Sequence, residues 1–182
     1  MNSATKNLED DHVYVLKLID IMDKMTLSYE PVISDMEEAV EIIRSFADGL
    51  HHSKEESWLF PLMAERGFSM QQGPVAMMLH EHTLGRNFVK EMTHHIELFK
   101  NGDISALAFV YQNMRGYGEL LRNHIAKENN VLFKMADNTL SQDDYVTLLN
   151  RFVEVENKNS PNNRKKDFIA RIEKLNQVYN PS

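Results

Sequence analysis

The chain of 182 residues contains no cysteine. This absence excludes disulfide bonds, thiolate zinc sites, iron–sulfur ligation and cysteine nucleophiles. Any bound metal ion must therefore be held by histidine nitrogen and by oxygen.

Glycine and proline are also scarce, with 7 and 5 residues respectively. They lie between stretches in which apolar residues recur every three or four positions, a pattern typical of long helices rather than short strands. The sequence therefore predicts an all-α protein. Its length suits one well-buried core, so we expect a single domain over residues 1–182.

Positive charge and long apolar runs are limited. Lys and Arg number 20 against 27 Asp and Glu, and no long basic run is present that could neutralise phosphates. No segment approaches the roughly 20 apolar residues that span a bilayer, and residues 1–11 lack the apolar core of a secretory signal. We expect a soluble, cytoplasmic protein with neither nucleic acid nor a membrane as partner.

The apolar periodicity predicts four amphipathic helices over about residues 8 to 137, the first from about Leu8 to Met25. Short connections between them predict an up-down-up-down four-helix bundle. One or two further helices follow at about residues 141 to 179, with the polar run 157–163 as a linker. The last helix suits either an end of the bundle or a neighbouring subunit, and the sequence does not choose between these. It does not predict the oligomeric state.

Two histidine–glutamate pairs, His51 with Glu55 and His124 with Glu128, are each separated by one helical turn. Both pairs fall on the apolar stripe of their helix and so are predicted to face the bundle interior. His12 and His82 lie on the other two helices. Burying carboxylates and imidazoles without partners would cost several kcal/mol, which favours bound cations over a dry polar network.

Charge and coordination number favour two divalent ions. Two glutamates and one hydroxide would nearly balance them, and about one position on each octahedral metal would stay open. Nitrogen and carboxylate ligands with open positions suit iron that reacts with small diatomics, and manganese or zinc less well.

Four other residues leave alternatives open. His52 and Glu56 form a second pair rotated by about 100°, which predicts a solvated flank, although Glu56 could contact a metal. His80 could join the site only on a distorted helix. Tyr117 is expected in the core but could also donate a hydrogen bond to a ligand.

These motifs resemble the hemerythrin-like, HHE cation-binding family of di-iron four-helix bundles over about residues 8 to 137. The matching segments are Asp11–His12, His51–Pro61, Glu81–Arg86 and His124–Phe133. The resemblance implies that His12, His51, His82 and His124 are terminal iron ligands and that Glu55 and Glu128 bridge two oxo- or hydroxo-bridged iron ions. Oxygen-carrying hemerythrins have a further histidine four positions before His82, where this chain has Met78. The resemblance is therefore closer to the iron-centre repair and iron-sensing branches.

The preferred hypothesis is a non-haem di-iron protein that binds or reduces oxygen, peroxide or nitric oxide, or that supplies iron under stress. The sequence shows no flavin fingerprint or phosphate loop, so turnover would require an external electron donor. Whether the protein is an enzyme stays open. The alternatives are a redox, iron or oxygen sensor without turnover and a metal-free structural bundle.

Overall fold

The computed structural model describes residues 3–157 and 164–181, and these residues form helices and no strand. Four long helices lead the chain: α1 (Ala4–Met25), α2 (33–65), α3 (Gly73–Lys100) and α4 (106–139). Two shorter helices follow: α5 (Gln142–Asn157) and α6 (Arg164–Tyr179). Short connections link each of the helices α1 to α4 to the next one in the chain, so consecutive helices run antiparallel. The predicted all-α bundle with extra C-terminal helices is confirmed.

Within residues 3–157 and 164–181, no helix combines the length and hydrophobicity that a bilayer span requires.

Local side-chain hydrogen bonds fix where two of the helices begin. The Ser3 hydroxyl accepts a hydrogen bond from the Lys6 N–H at the start of α1. At the start of α5, the Ser141 N–H donates to the Asp144 carboxylate while the Asp144 N–H donates to the Ser141 hydroxyl. This reciprocal pair is a capping box that fixes the first turn of α5.

The core has two apolar layers with polar residues between them. One layer contains Ile19, Phe46 and Leu121, and the other contains Leu8, Phe60 and Phe133. Each of the four long helices crosses both layers. The segments in the middle of the helices carry the predicted ligands, which are buried midway along the bundle.

The bundle helices approach closely at Gly118 of α4. A Cβ at this position would lie 2.9 Å from Cγ2 of Ile19 on α1, so a larger residue would require Ile19 or the helix backbone to shift. Because Gly118 has no side chain, α1 can pack closely against α4.

The C-terminal helices pack along the side of the bundle. Phe168, Ile172 and Leu175 of α6 enter the layer that contains Ile19, and Leu148 and Phe152 of α5 enter the other layer. Apart from Asn157, which ends α5, the predicted linker lies outside the described residues. The apolar face of α6 is thus covered by its own chain.

Helices α2 and α4 are not regular α-helices throughout. π-Helical turns occupy Ile43–His52 and Glu55–Leu59 in α2, and Glu128–Leu132 in α4. Such turns pair each carbonyl with the N–H five residues later and often occur at functional sites. Here they contain three of the predicted ligands, His51, Glu55 and Glu128.

Candidate metal centre

The six residues predicted as metal ligands lie together in the structure. Each has less than 3 % of its surface exposed. One side of the centre, which we call the closed half, contains the imidazoles of His12 and His51, with Nε2 atoms 3.1 Å apart. The other side, the open half, contains those of His82 and His124, with Nε2 atoms 3.2 Å apart.

Glu55 and Glu128 are shared by the two halves. Oε2 of Glu128 lies 3.2 Å from Nε2 of His12, and Oε1 lies 3.2 Å from Nε2 of His124. Oε2 of Glu55 lies 3.7 Å from Nε2 of His51 and 3.5 Å from Nε2 of His82. Each carboxylate therefore lies between one histidine of each half, the arrangement that bridging two ions requires.

The backbone repeats the same pattern at both carboxylates. Glu55 and Glu128 each begin a π-helical turn. The backbone carbonyl of Glu55 accepts a hydrogen bond from the Phe60 N–H, and that of Glu128 accepts one from the Phe133 N–H. Phe133 stacks on the His12 ring with centroids 5.6 Å apart, and Phe60 stacks on the His82 ring at 6.0 Å. The centre thus has approximate twofold symmetry.

The Nδ1 atom of each of the four histidines faces an oxygen from a residue that adjoins a predicted ligand. Nδ1 of His12 lies 2.7 Å from Asn129, and Nδ1 of His51 lies 3.5 Å from Asp11. In the open half, Nδ1 of His82 lies 2.7 Å from Glu56, and Nδ1 of His124 lies 2.9 Å from Glu81. These oxygens favour a proton on Nδ1 and leave the Nε2 lone pair free to bind a metal.

The buried oxygens of the centre lack partners. None of the four carboxylate oxygens of Glu55 and Glu128 accepts a hydrogen bond within the described part of the chain. Nitrogen lone pairs that face one another near 3 Å repel unless a proton or a cation lies between them. Both observations fit metal ions bound by these six residues.

Burial and neighbouring charges shift the pKa values strongly. Burial lowers the pKa of His51 to about 4, and burial together with the charge of Glu128 raises the pKa of Glu55 well above its usual range. Burial acts against charge on His124 and Glu128 as well, but their mutual attraction outweighs it. It raises the pKa of His124 to about 9 and holds that of Glu128 well below its usual range. These shifts favour a neutral Glu55 and a cationic His124 while no metal is bound, and bound metal ions would take over the role of the two protons.

The closed half is connected to the C-terminal helices through a buried ion network. Asp11, with no exposed surface, accepts a hydrogen bond from Nζ of Lys54 at 2.9 Å and contacts Nζ of Lys165 at 2.5 Å. Lys54, also fully buried, contacts Glu156 at 2.6 Å. Helices α5 and α6 are thereby joined to the carboxylate that faces His51.

The open half lies next to solvent. Arg86, on the surface of α3, donates hydrogen bonds to Asp48 at 2.8 Å and Glu56 at 2.7 Å, and Lys127 pairs with Glu81. Beside this half is a cavity of about 200 Å³ between α2, α3 and α4, whose lining includes Arg86 and Tyr117. Tyr117 is buried, as expected from the sequence.

The predicted solvated flank at His52 is wrong. Only 5 % of His52 is exposed, and its ring stacks on that of His82 with centroids 3.8 Å apart. A regular α-helix would rotate His52 away from His51, but the π-helical turn ending here places both inside. Glu56 lies at the edge and contacts the Nδ1 atom of His82, while His80 is exposed on α3.

The sequence reasoning missed the oxygens that face the histidines, although the sequence held a signal for them. An acid directly precedes two predicted ligands, in Asp11–His12 and Glu81–His82. Each acid turns toward a histidine of the neighbouring helix, His51 and His124 respectively.

Comparison with known proteins agrees with this geometry. A family model described as the hemerythrin HHE cation binding domain matches residues 3–136. A protein described as iron-sulfur cluster repair protein YtfE, from Pectobacterium carotovorum subsp. carotovorum (strain PC1), is 34 % identical over 89 residues. The match covers 47 % of this chain and 40 % of that protein, so the chain spans less than half of its length. No solved structure matches the chain significantly.

Proposed function

Because the chain belongs to the hemerythrin HHE cation-binding family, we propose that it is a cytoplasmic di-iron protein. It binds or reduces a small oxidant, or supplies iron in a stress response. His12, His51, His82 and His124 act as terminal ligands, and Glu55 and Glu128 as bridges. The observation that carries this proposal is the set of four unpartnered carboxylate oxygens facing four converging imidazoles.

The protein's own residues hold and orient the ligands. The oxygens that face Nδ1 fix the ring orientation and increase the basicity of Nε2. The apolar layers above and below exclude water and limit access to small molecules. Two bound iron ions would supply open positions for oxygen, peroxide or nitric oxide, and an external donor would supply electrons for any reduction.

The stress-related role rests on similarity. The relative described above is named for the repair of iron–sulfur clusters. This chain has no cysteine, so it holds no thiolate that could carry a cluster. We therefore propose that the stress-related role depends on iron bound at the histidine and glutamate residues.

Metal analysis after anaerobic purification tests the proposal. We expect two iron ions per chain and an absorption band that changes on exposure to air and to nitric oxide. The double variant His51→Ala with His124→Ala should lose the iron and melt at a lower temperature than the loaded protein, because metal binding stabilises the fold.

A matched control is the double variant His80→Ala with His94→Ala, since both histidines are exposed on α3. It should retain the iron and the melting temperature. Absence of iron from the wild type, or unchanged stability in the buried double variant, would favour the metal-free structural bundle.

The buried ion network favours a second candidate, a sensor without turnover. Asp11 contacts both His51 and the lysines that join α5 and α6 to the bundle, so a change at the centre can alter how these helices pack. Limited proteolysis between α5 and α6 should then differ among the reduced, oxidised and metal-free forms. Equal cleavage rates in all three forms, together with consumption of peroxide or nitric oxide by an added reductant, would exclude the sensor.

A further inference from the structure

His52 lies against the two histidines of the open half of the centre. Its ring is stacked on that of His82 and lies 6.0 Å from that of His124. Ligand atoms of His52, Glu55, His82 and His124 all lie within 4.8 Å of one another. A single ion could therefore be reached by all four side chains.

Like the four predicted histidine ligands, His52 has its Nδ1 atom beside an oxygen. Its Nδ1 atom lies 3.3 Å from Oδ1 of Asp48, and Asp48 is in turn held by Arg86 at 2.8 Å. With Nδ1 occupied, Nε2 is the nitrogen left for a metal. Arg86 also holds Glu56, which faces His82, so one guanidinium orients both rings.

His52 differs from the other four in its access to solvent. It is the one histidine of the five that lines the cavity between α2, α3 and α4. The lining contains three cationic side chains, Arg44, Arg86 and Lys90, and one anionic side chain, Asp48. This excess of positive charge attracts small anions toward His52.

We propose that His52 is a fifth imidazole ligand of the metal centre, in the open half, and that a small anion entering through the cavity displaces it. In this exchange the bond from Nε2 to the metal breaks and one from the anion forms, with no net electron transfer. The inference rests on the proposed function, because it requires a loaded centre. It assigns the open half three imidazoles and the closed half two.

The test compares iron-loaded wild type with His52→Ala and with the exposed control His80→Ala. X-ray absorption counts the imidazoles per iron, which should average about 2.5 in the wild type and in His80→Ala but about 2 in His52→Ala. The affinity for azide, a small anionic probe, should rise on the order of tenfold in His52→Ala because no protein ligand competes. Added imidazole, which fits the cavity, should restore the wild-type count and weaken azide binding again.

A second variant distinguishes loss of the ligand nitrogen from loss of local structure. His52→Gln keeps a polar group beside Asp48 but has no ring nitrogen, and it should behave like His52→Ala. Two iron ions with an unchanged imidazole count and unchanged azide affinity in both variants would overturn the inference while leaving the di-iron proposal intact. A wild type that binds no iron would overturn both.

Discussion

The two halves of the centre share a ligand pattern but have different surroundings. In the closed half, Asp11 and Lys54 have no exposed surface, and helices α5 and α6 cover them. In the open half, Arg86 and Lys127 are each about two-fifths exposed and border a solvent-accessible cavity. The same imidazole and carboxylate set is therefore anchored on one side and accessible on the other. We infer that the closed half maintains the structure and the open half meets the ligand.

The largest expected difference concerns stability. Lys54→Met leaves the buried charge of Asp11 and the partly exposed charge of Glu156 with fewer partners, so it should lower the free energy of unfolding by about 3–5 kcal/mol. Arg86→Met, the matched change in the open half, should cost less than about 1 kcal/mol because Arg86 is partly exposed. Urea unfolding of the metal-free variants measures both. Equal losses of stability in the two variants would contradict the proposed difference between the closed and open halves.

The next effect is a pH dependence in the closed half. Burial acts to raise the pKa of Asp11, but the nearby His51 imidazole and the ammonium groups of Lys54 and Lys165 hold it well below its usual value. Because this carboxyl pKa is lower in the folded than in the unfolded protein, ionised Asp11 stabilises the fold above about pH 4. This contribution to the free energy of unfolding, about 2 kcal/mol, is lost as the pH falls further. Asp11→Asn should flatten the decline in stability of the metal-free protein between about pH 5 and pH 2. An equally steep decline would show that other carboxyls cause it.

A smaller effect is expected in the rate of metal loss. A chelator should remove iron in two phases, the faster from the open half, with rates that differ on the order of tenfold because cavity access and local opening govern the exchange. His82→Ala should abolish the fast phase and His51→Ala the slow phase. A single phase in the wild type would indicate that both ions leave through one route.

The smallest effect concerns Gly85, which lines the cavity on α3. A Cβ there would lie 3.6 Å from the Tyr117 ring and 3.8 Å from Leu121, which are ordinary contact distances. Gly85→Ala should therefore stabilise the helix by up to about 1 kcal/mol and slow azide binding slightly. A loss of stability would mean that the cavity wall cannot accept a methyl group.

Much of the fold followed from apolar periodicity and turn residues. The predicted amphipathic helices each bury an apolar face, which on α3 includes Val75, Met78 and Val89. The hydrophobic stripe is a strong signal because each long helix must cover one face. The packing of α6 on the bundle was left open by the sequence, since an amphipathic helix suits its own chain and a partner equally well.

The candidate site was partly predictable. His51 and Glu55 could be placed on one inward stripe by counting helical turns, and the structure brings all six predicted ligands together. That they bind metal stays a prediction. His52 was misplaced because the counting assumed a regular helix, whereas π-helical turns shift the facing of every residue within them. The pairing of Asp11 with His51 depends on how two helices meet, which local spacing does not specify.

The complete burial of Lys54 has a practical consequence for chemical labelling. Its ammonium group is enclosed by Asn7, Asp11 and Glu156. An amine-reactive reagent such as acetic anhydride would modify it only in molecules whose C-terminal helices have opened. The extent of acetylation at this one side chain therefore reports how often that opening occurs.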